Sequence, residues 1–230
     1  MAALLPRDAA SAEPADAVAA GGLLNPQATG RLSGKTRSEA PRLLIIPGLH
    51  DSGSAHWQTW LEQQYRDAHR VRQRDFSQPD LERWSDRIQT RLDHAGDGEW
   101  VAVAHSFGCL ALAHFLQQHP DAPIREALLV APAEPEKFGL SERLPHQRLP
   151  CPTALIASQS DPWMSAASAL RWATRWGSSY SNLGLVGHIN AESGFGPFPL
   201  AKRWVEAARA RAARARRPER ASILEWSFSI

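Results

Sequence analysis

The sequence has few cysteines and no long apolar run, and its charges nearly balance. Cys109 and Cys151 are the only two cysteines among 230 residues. That is too few for the disulfide framework of a small secreted protein, so we expect a reducing, cytoplasmic location. No apolar stretch approaches the roughly 20 residues that a transmembrane helix needs. The formal net charge of +2 gives no electrostatic reason to expect a nucleic acid partner.

Metal-binding and targeting patterns are missing as well. The sequence contains neither a Cys-x-x-Cys nor a His-Glu-x-x-His spacing, so we predict no metal site. At the N-terminus, Pro6, Arg7 and Asp8 interrupt a short apolar segment, which argues against a secretory signal peptide. Residues 1–40 are rich in Ala, Gly, Pro and Ser without a sustained period, and we interpret them as a flexible, disordered leader.

A strand that turns directly into a helix lies near the middle of the chain. Residues 100–104 form a short apolar run that suits a buried strand, and from Phe107 the apolar residues take helical spacing. Ser106 lies at the corner, with the small residues Ala104 and Gly108 two positions to either side. Such a corner exposes a hydroxyl and places backbone N–H groups of a helix N-terminus beside it. Serine is also a favoured helix N-cap, so this pattern alone leaves both roles open.

Strand and helix patterns alternate from residue 43 onward. Besides the central strand, we predict strands at residues 43–46, 71–76, 127–130, 153–157 and 179–186, the second of them a weak edge strand because of its arginines. We predict a helix that begins with a cap at Ser54, a second helix at residues 80–92, and a further helix after residue 166. Residues 134–150 form an irregular excursion that shapes the substrate entrance or is a plain surface connection. The alternation predicts an α/β fold, a mostly parallel sheet covered by helices on both faces.

Three residues that can carry acyl-transfer chemistry each follow a predicted strand. Ser106, Asp161 and His188 occur in the order nucleophile, acid and histidine, which is the order of the α/β-hydrolase triad. A serine hydroxyl is a poor nucleophile until a neutral imidazole accepts its proton, and a carboxylate fixes the tautomer of that imidazole. Asp161 alone also fits a turn and His188 alone a loop residue, but their joint placement predicts a catalytic triad.

The loop after the first strand is the second part of the predicted site. In an α/β-hydrolase this loop supplies one backbone N–H of the oxyanion hole, and the residue after the nucleophile supplies the other. We therefore predict the N–H groups of Leu49 and Phe107 as the oxyanion donors, with Gly48 allowing the backbone to turn sharply. An ordinary strand-to-helix turn is the alternative for this loop.

Other residues compete for these roles. His105 directly precedes Ser106 and is expected to point elsewhere, and Asp51 breaks the order of the triad. Cys109, one helical turn after the serine, is expected to be a packed thiol. The remaining candidates for the base are His50, His56 and His114, of which the last two lie in predicted helices.

The chain resembles the small serine hydrolases of the α/β-hydrolase superfamily, the family of retinoblastoma-binding protein 9 and the bacterial YdeN proteins. The resemblance covers Arg42 to Val205. It rests on Ile-Ile-Pro-Gly followed by His56-Trp57, on Ala-His-Ser-Phe-Gly-Cys, on Ser-Asp-Pro, and on Gly-His-Ile-Asn-Ala-Glu-Ser-Gly-Phe-Gly-Pro-Phe-Pro. It implies a compact sheet with a minimal lid, ester or related acyl hydrolysis without a cofactor, and Ser106, Asp161 and His188 as nucleophile, acid and base.

These observations give an α/β-hydrolase domain at residues 41–206 and a basic C-terminal extension at 207–230. The extension contains Arg209, Arg211, Arg214, Arg216 and Arg217. We interpret it as a solvated helix end or a disordered segment, with contact to acidic lipid or nucleic acid as the alternative. We expect a serine hydrolase that cleaves small acyl substrates, carboxylesterase-like, with thioesterase or amidase activity left open. An interaction protein that keeps the fold with weak or incidental catalysis is the other hypothesis.

Overall fold

The computed structural model describes residues 40–215, and they form one six-stranded sheet in which all paired strands run parallel. The predicted leader up to residue 39 and the predicted extension from residue 216 lie outside the described residues. The strands are β1 (Arg42–Ile46), β2 (Ala68–Arg70), β3 (Trp100–His105), β4 (Ile124–Val130), β5 (Thr153–Ala157) and β6 (Ser179–Asn182). Their order across the sheet is β2-β1-β3-β4-β5-β6.

Helices cover both faces of this sheet. They are α1 (Trp57–Gln63), α2 (Leu81–Ala95), α3 (Phe107–Gln118), α4 (Ala166–Trp176) and α5 (Pro199–Ala215). Buried side chains of α2, α3 and α4 pack on one face, and those of α1 and α5 pack on the other. None of the helices between residues 40 and 215 combines the length and apolar character that crossing a bilayer requires.

The two cores follow from the alternation of side chains along each strand. In β1, Leu43 and Ile45 join the core under α1 and α5, whereas Leu44 and Ile46 join the core under α2, α3 and α4. All six residues of β3 are buried, as expected for a central strand covered on both sides. The predicted strands at residues 43–46, 100–104, 127–130 and 153–157 are confirmed.

Both edge strands differ from their predicted positions. The strand predicted at residues 71–76 is wrong, because the chain pairs with β1 over Ala68–Arg70 and leaves the sheet at Val71. The last strand ends at Asn182 rather than continuing to residue 186, because the Asn182 side chain accepts a hydrogen bond from the N–H of Gly184, which has a positive φ of 81°. An Asx turn of this kind competes with strand pairing.

Local capping also departs from one prediction. Ser54 does not cap α1; the cap is His56, whose Nδ1 accepts a hydrogen bond from the N–H of Gln58 at 3.1 Å. Asp80, which the sequence placed inside the helix at residues 80–92, caps α2. The excursion at residues 134–150 is irregular apart from two short 3₁₀ turns, Pro135–Phe138 and Ser141–Arg143.

Helix α5 runs beyond the predicted boundary at residue 206 and uses part of the arginine-rich segment for packing. Arg209 donates to Asp67 at 3.1 Å and lies over the ring of Tyr65, and Arg211 pairs with Glu126 at 2.7 Å. These two guanidinium groups therefore bind carboxylates of the same domain. Arg216 and Arg217 lie outside the described residues.

The tight corner between β3 and α3 gives a stability prediction. A Cβ at Gly108 would lie 2.3 Å from the carbonyl oxygen of Pro47 and 2.7 Å from that of Ile46. Backbone atoms cannot move aside cheaply, so we expect Gly108→Ala to lower the free energy of unfolding by about 2–3 kcal/mol. Urea unfolding followed by tryptophan fluorescence measures the change.

Gly196→Ala is the matched control, because a Cβ there meets nothing within 4 Å. We expect its effect to stay within about 0.5 kcal/mol. Equal unfolding free energies for the two variants would contradict the steric account of Gly108.

Candidate active site

Ser106 stands at the turn between the central strand and α3 in a strained conformation. Its φ of 53° and ψ of −125° lie outside the regions that side chains usually adopt. Although it occupies the N-cap position of α3, its hydroxyl makes no capping hydrogen bond. The hydroxyl is instead directed to another partner, which decides between the two roles that the sequence left open.

That partner is His188, and a third residue completes a continuous row of hydrogen bonds. His188 Nε2 lies 2.9 Å from Ser106 Oγ, and His188 Nδ1 lies 2.9 Å from both carboxylate oxygens of Asp161. A carboxylate only accepts, so Nδ1 carries the proton and Nε2 is free to accept one from the serine. The structure therefore brings the three predicted residues together.

Burial and one further hydrogen bond hold the carboxylate in place. The Asp161 side chain is 2% exposed, and its Oδ1 also accepts a hydrogen bond from the N–H of Trp163 at 2.8 Å. Asp161 is thus both the partner of the histidine and the centre of a turn, which the sequence had offered as alternatives. Trp163 is 44% exposed and its ring centroid lies 6.1 Å from that of His188.

The loop after β1 lies directly against the serine. A Cβ at Gly48 would be 2.7 Å from the Ser106 Cβ, so only glycine allows this approach. A sharp turn begins at Gly48, whose carbonyl accepts a hydrogen bond from the N–H of Asp51 at 3.2 Å, but the positive φ angles occur at His50 and Asp51, at 66° and 61°. Within residues 40–215, no oxygen accepts a hydrogen bond from the N–H of Leu49 or of Phe107. Both predicted donors are therefore unengaged.

Arg70 fixes the part of this loop that has positive φ angles, and no sequence pattern indicated this role. Its guanidinium donates to Asp51 Oδ1 and the Ser52 carbonyl at 3.0 Å each, to Thr59 Oγ1 at 2.8 Å and to Glu62 Oε2 at 2.8 Å. The side chain is 6% exposed. Charge-assisted bonds to several groups at once restrain the loop more tightly than an exposed ion pair does.

The other candidates for base, acid and nucleophile are engaged elsewhere. His114 binds Glu82 and the Arg143 carbonyl, away from the serine, and Asp51 binds Arg70. Burial raises the pKa of the Cys109 thiol well above its usual value, so that thiol does not ionise readily. His50 is the exception: it lines the cavity that contains Ser106, but the serine hydroxyl pairs with His188 instead.

Two further histidines lie beside His188 in a row. The ring centroids of His56 and His105 are 4.8 Å apart, and those of His105 and His188 are 4.9 Å apart. Burial lowers the pKa of His56 to about 4, with the Arg70 charge adding to the effect, and burial lowers that of His105 well below 6.5. Both rings are therefore neutral at physiological pH.

A cavity of about 440 Å³ opens at Ser106. Its lining contains an apolar group, Leu49, Ala133, Phe138 and Trp163, and a polar group that includes Asp51, Asn190 and Glu192. Phe138 belongs to the irregular excursion at residues 134–150, for which the sequence left open a role at the substrate entrance or as a plain surface connection. A cavity of about 500 Å³ near Arg148, Cys151 and Trp176 contains none of the three predicted residues. No cluster of possible metal ligands occurs in the part of the chain that the structure describes.

The fold and the row of hydrogen bonds define the class of protein, an α/β hydrolase with serine, histidine and aspartate at the carboxyl edge of a parallel sheet. Residues 43–207 match the family described as serine hydrolase, and the chain belongs to this family. A comparison with proteins of curated function gave no match.

Three solved structures illustrate the similarity. A putative YdeN-like hydrolase from Pectobacterium atrosepticum is 39% identical over 74% of this chain and 92% of its own, with a TM-score of 0.70. The ydeN gene product of B. subtilis is 22% identical over 74% and 99%, with a TM-score of 0.62. A putative α/β hydrolase from Agrobacterium tumefaciens is 14% identical over 76% and 85%, with a TM-score of 0.52. These findings confirm the predicted α/β-hydrolase fold and the hydrolase class.

The neutral His56 gives a prediction on stability. Between pH 6.5 and pH 4 the unfolded chain binds a proton at this residue that the folded chain does not bind. The free energy of unfolding therefore falls as the pH falls, by about 2 kcal/mol for this group between about pH 7.5 and about pH 5. His105 adds a loss of the same sign.

His56→Asn is the informative variant, because asparagine keeps a capping acceptor for α1 and does not titrate. We measure the free energy of unfolding in urea at both pH values. The decrease between the two pH values should be smaller for the variant than for the wild type by about 2 kcal/mol. Parallel pH dependences of the two proteins would contradict the burial of a neutral His56.

Proposed function

We propose that this chain is a carboxylesterase-like serine hydrolase with Ser106 as nucleophile, His188 as base and Asp161 as the acid that orients the base. The observation that carries the proposal is the unbroken row of hydrogen bonds, 2.9 Å at each step, that ends on a strained serine in a cavity. A serine in this setting is activated for attack on a carbonyl carbon.

In the acylation step, His188 Nε2 takes the proton of the Ser106 hydroxyl while the oxygen attacks the carbonyl carbon of the ester. The tetrahedral intermediate carries its negative charge on the former carbonyl oxygen. His188 Nε2 then gives its proton to the leaving alcohol, and an acyl ester of Ser106 remains. Asp161 stabilises the imidazolium that exists between the two proton transfers.

The N–H groups of Leu49 and Phe107 are the proposed donors to that oxyanion. Gly48 lies against Ser106 and therefore brings the following amide close to the serine. Phe107 is the first residue of α3, where the N–H has no partner within the helix and the helix dipole favours negative charge. In deacylation, water attacks the acyl ester, His188 takes its proton, and the acid leaves as Ser106 recovers its hydrogen.

The cavity favours neutral or cationic acyl substrates over anionic ones. Among the described residues that line it, Glu192 is acidic, Asp51 is acidic but paired with Arg70, and none is arginine or lysine. The apolar group around Phe138 and Trp163 suits the hydrocarbon part of a small acyl or alkoxy group. This charge distribution supports simple esters more than thioesters of a phosphorylated carrier, although the same chemistry serves amides.

A cytoplasmic location belongs to the same proposal. Cys109 and Cys151 are both free thiols, which is the usual state of cysteine in a reducing compartment.

A fluorophosphonate probe tests the proposed nucleophile. We expect the wild type to be labelled on Ser106, and both Ser106→Ala and His188→Ala to lose labelling. Turnover of p-nitrophenyl butyrate by either variant should fall by about 10⁴-fold or more, because the two residues act as one unit. Esters of increasing chain length then report the size of the cavity.

Ser141→Ala is the control, since Ser141 lies in the 3₁₀ turn at residues 141–143, outside the lining of the cavity. Its labelling should equal that of the wild type. A folded wild type that resists the probe would defeat the proposal and favour the interaction-protein hypothesis.

Charge selectivity gives a separate prediction. We expect kcat/KM for p-nitrophenyl butyrate to exceed that for the anionic p-nitrophenyl hemisuccinate. Glu192→Gln should raise the value for the hemisuccinate about 2- to 5-fold at low salt and leave that for the butyrate unchanged, because an exposed charge has a modest, salt-dependent effect. An equal change for both esters would show that Glu192 acts on something other than substrate charge.

A further inference from the structure

Two side chains from distant parts of the chain hold consecutive backbone carbonyls of the loop that carries His188. His105 Nε2 lies 3.0 Å from the carbonyl oxygen of His188, and Trp57 Nε1 donates to the carbonyl oxygen of Ile189 at 2.8 Å. A carbonyl only accepts, so the Nε2 of His105 carries the proton. Both donors are buried.

The loop needs such restraint because its backbone is strained at the next residue. Ile189 has a φ of 49°, and a β-branched residue in the left-handed region is a steric outlier. Strained residues persist only where the surrounding structure over-determines them. Here Ile189 is fully buried, and the two hydrogen bonds fix the peptide groups on either side of it.

The chemistry of the two donors suits a place beside a base. The indole N–H of Trp57 carries no charge. Burial lowers the pKa of His105 well below 6.5, so its ring also stays neutral although its centroid is 4.9 Å from that of His188. Neutral donors leave His188 free to become positively charged during the reaction.

We propose that His105 and Trp57 are positioning residues that keep His188 in line between Ser106 and Asp161. The proposal rests on the proposed function. His105 directly precedes Ser106 in the chain. Its hydrogen bond therefore connects the backbone of the base to the strand end that carries the nucleophile. The spacing of 2.9 Å on both sides of the imidazole leaves little tolerance for displacement.

The experiment compares variants that remove one donor with variants that remove a similar donor elsewhere. Trp57→Phe removes the indole N–H, and Trp176→Phe is its control, since Trp176 is equally buried and donates to the carbonyl of Pro145 at 3.0 Å. His105→Leu removes the imidazole, and His114→Leu is the matched change of a buried histidine that contacts the carbonyl of Arg143.

Three readouts separate positioning from general stability. They are the rate of fluorophosphonate labelling, the pH profile of kcat/KM for p-nitrophenyl butyrate, and the low-field proton resonance of the His188 Nδ1–H in the NMR spectrum. Urea unfolding of every variant measures stability. His105→Gln, which keeps a neutral donor, tests for rescue.

We expect Trp57→Phe and His105→Leu to label about 10- to 100-fold more slowly than the wild type, because a displacement of about 1 Å can cost this much. The acidic limb of the pH profile, where the base gains a proton, should shift, and the low-field resonance should broaden or disappear. The two controls should retain the wild-type rate and resonance, and His105→Gln should recover most of the rate.

Labelling rates of Trp57→Phe and His105→Leu that equal those of their controls would overturn the proposal. If His105→Leu does not fold, Trp57→Phe decides by the same criterion. A wild type that is not labelled at all would instead defeat the proposed function, so the two failures are distinguishable.

Discussion

The close approach of two backbone segments governs the geometry of the site. At Gly108 the first turn of α3 touches the carbonyl groups at the end of β1, and at Gly48 the loop after β1 touches the Cβ of Ser106. Neither contact admits a side chain. The two segments therefore meet without intervening side-chain atoms. The strain at Ser106 and the position of both proposed oxyanion donors depend on this contact.

Much of the fold and the main residues of the site could be predicted because they depend on local patterns. Strands such as β3 are apolar runs, and in a parallel sheet the residues after them share one edge, which is why Ser106, Asp161 and His188 could be grouped. The short edge strand β2 could not be placed, since its three residues pair with β1 only through tertiary contacts. Arg70 was missed for a related reason: its partners come from the loop after β1 and from α1, and no sequence period connects them.

The histidines show how hydrogen-bond partners give different roles to identical, equally buried side chains. His188 has a carboxylate on one nitrogen and a hydroxyl on the other, whereas His105 contacts a carbonyl and His56 accepts from a backbone N–H. Only the partners of His188 allow an imidazole to accept a proton from a hydroxyl and to give it back. Four histidines line the cavity at the serine. Their hydrogen-bond partners distinguish the base from its neighbours, and the sequence does not reveal these partners.

The position of α5 has a consequence for biosynthesis. Its residues Ala201, Val205 and Ala208 complete the core on one face of the sheet, and its arginines reach Asp67 and Glu126, which were made much earlier. Until α5 leaves the ribosome, the nascent chain exposes apolar side chains such as Val101 and Leu128 on that face. Ser106, Asp161 and His188 are all translated before α5, the helix that covers this core. Emergence of α5 from the ribosome, rather than synthesis of the three site residues, is therefore the step that completes this core.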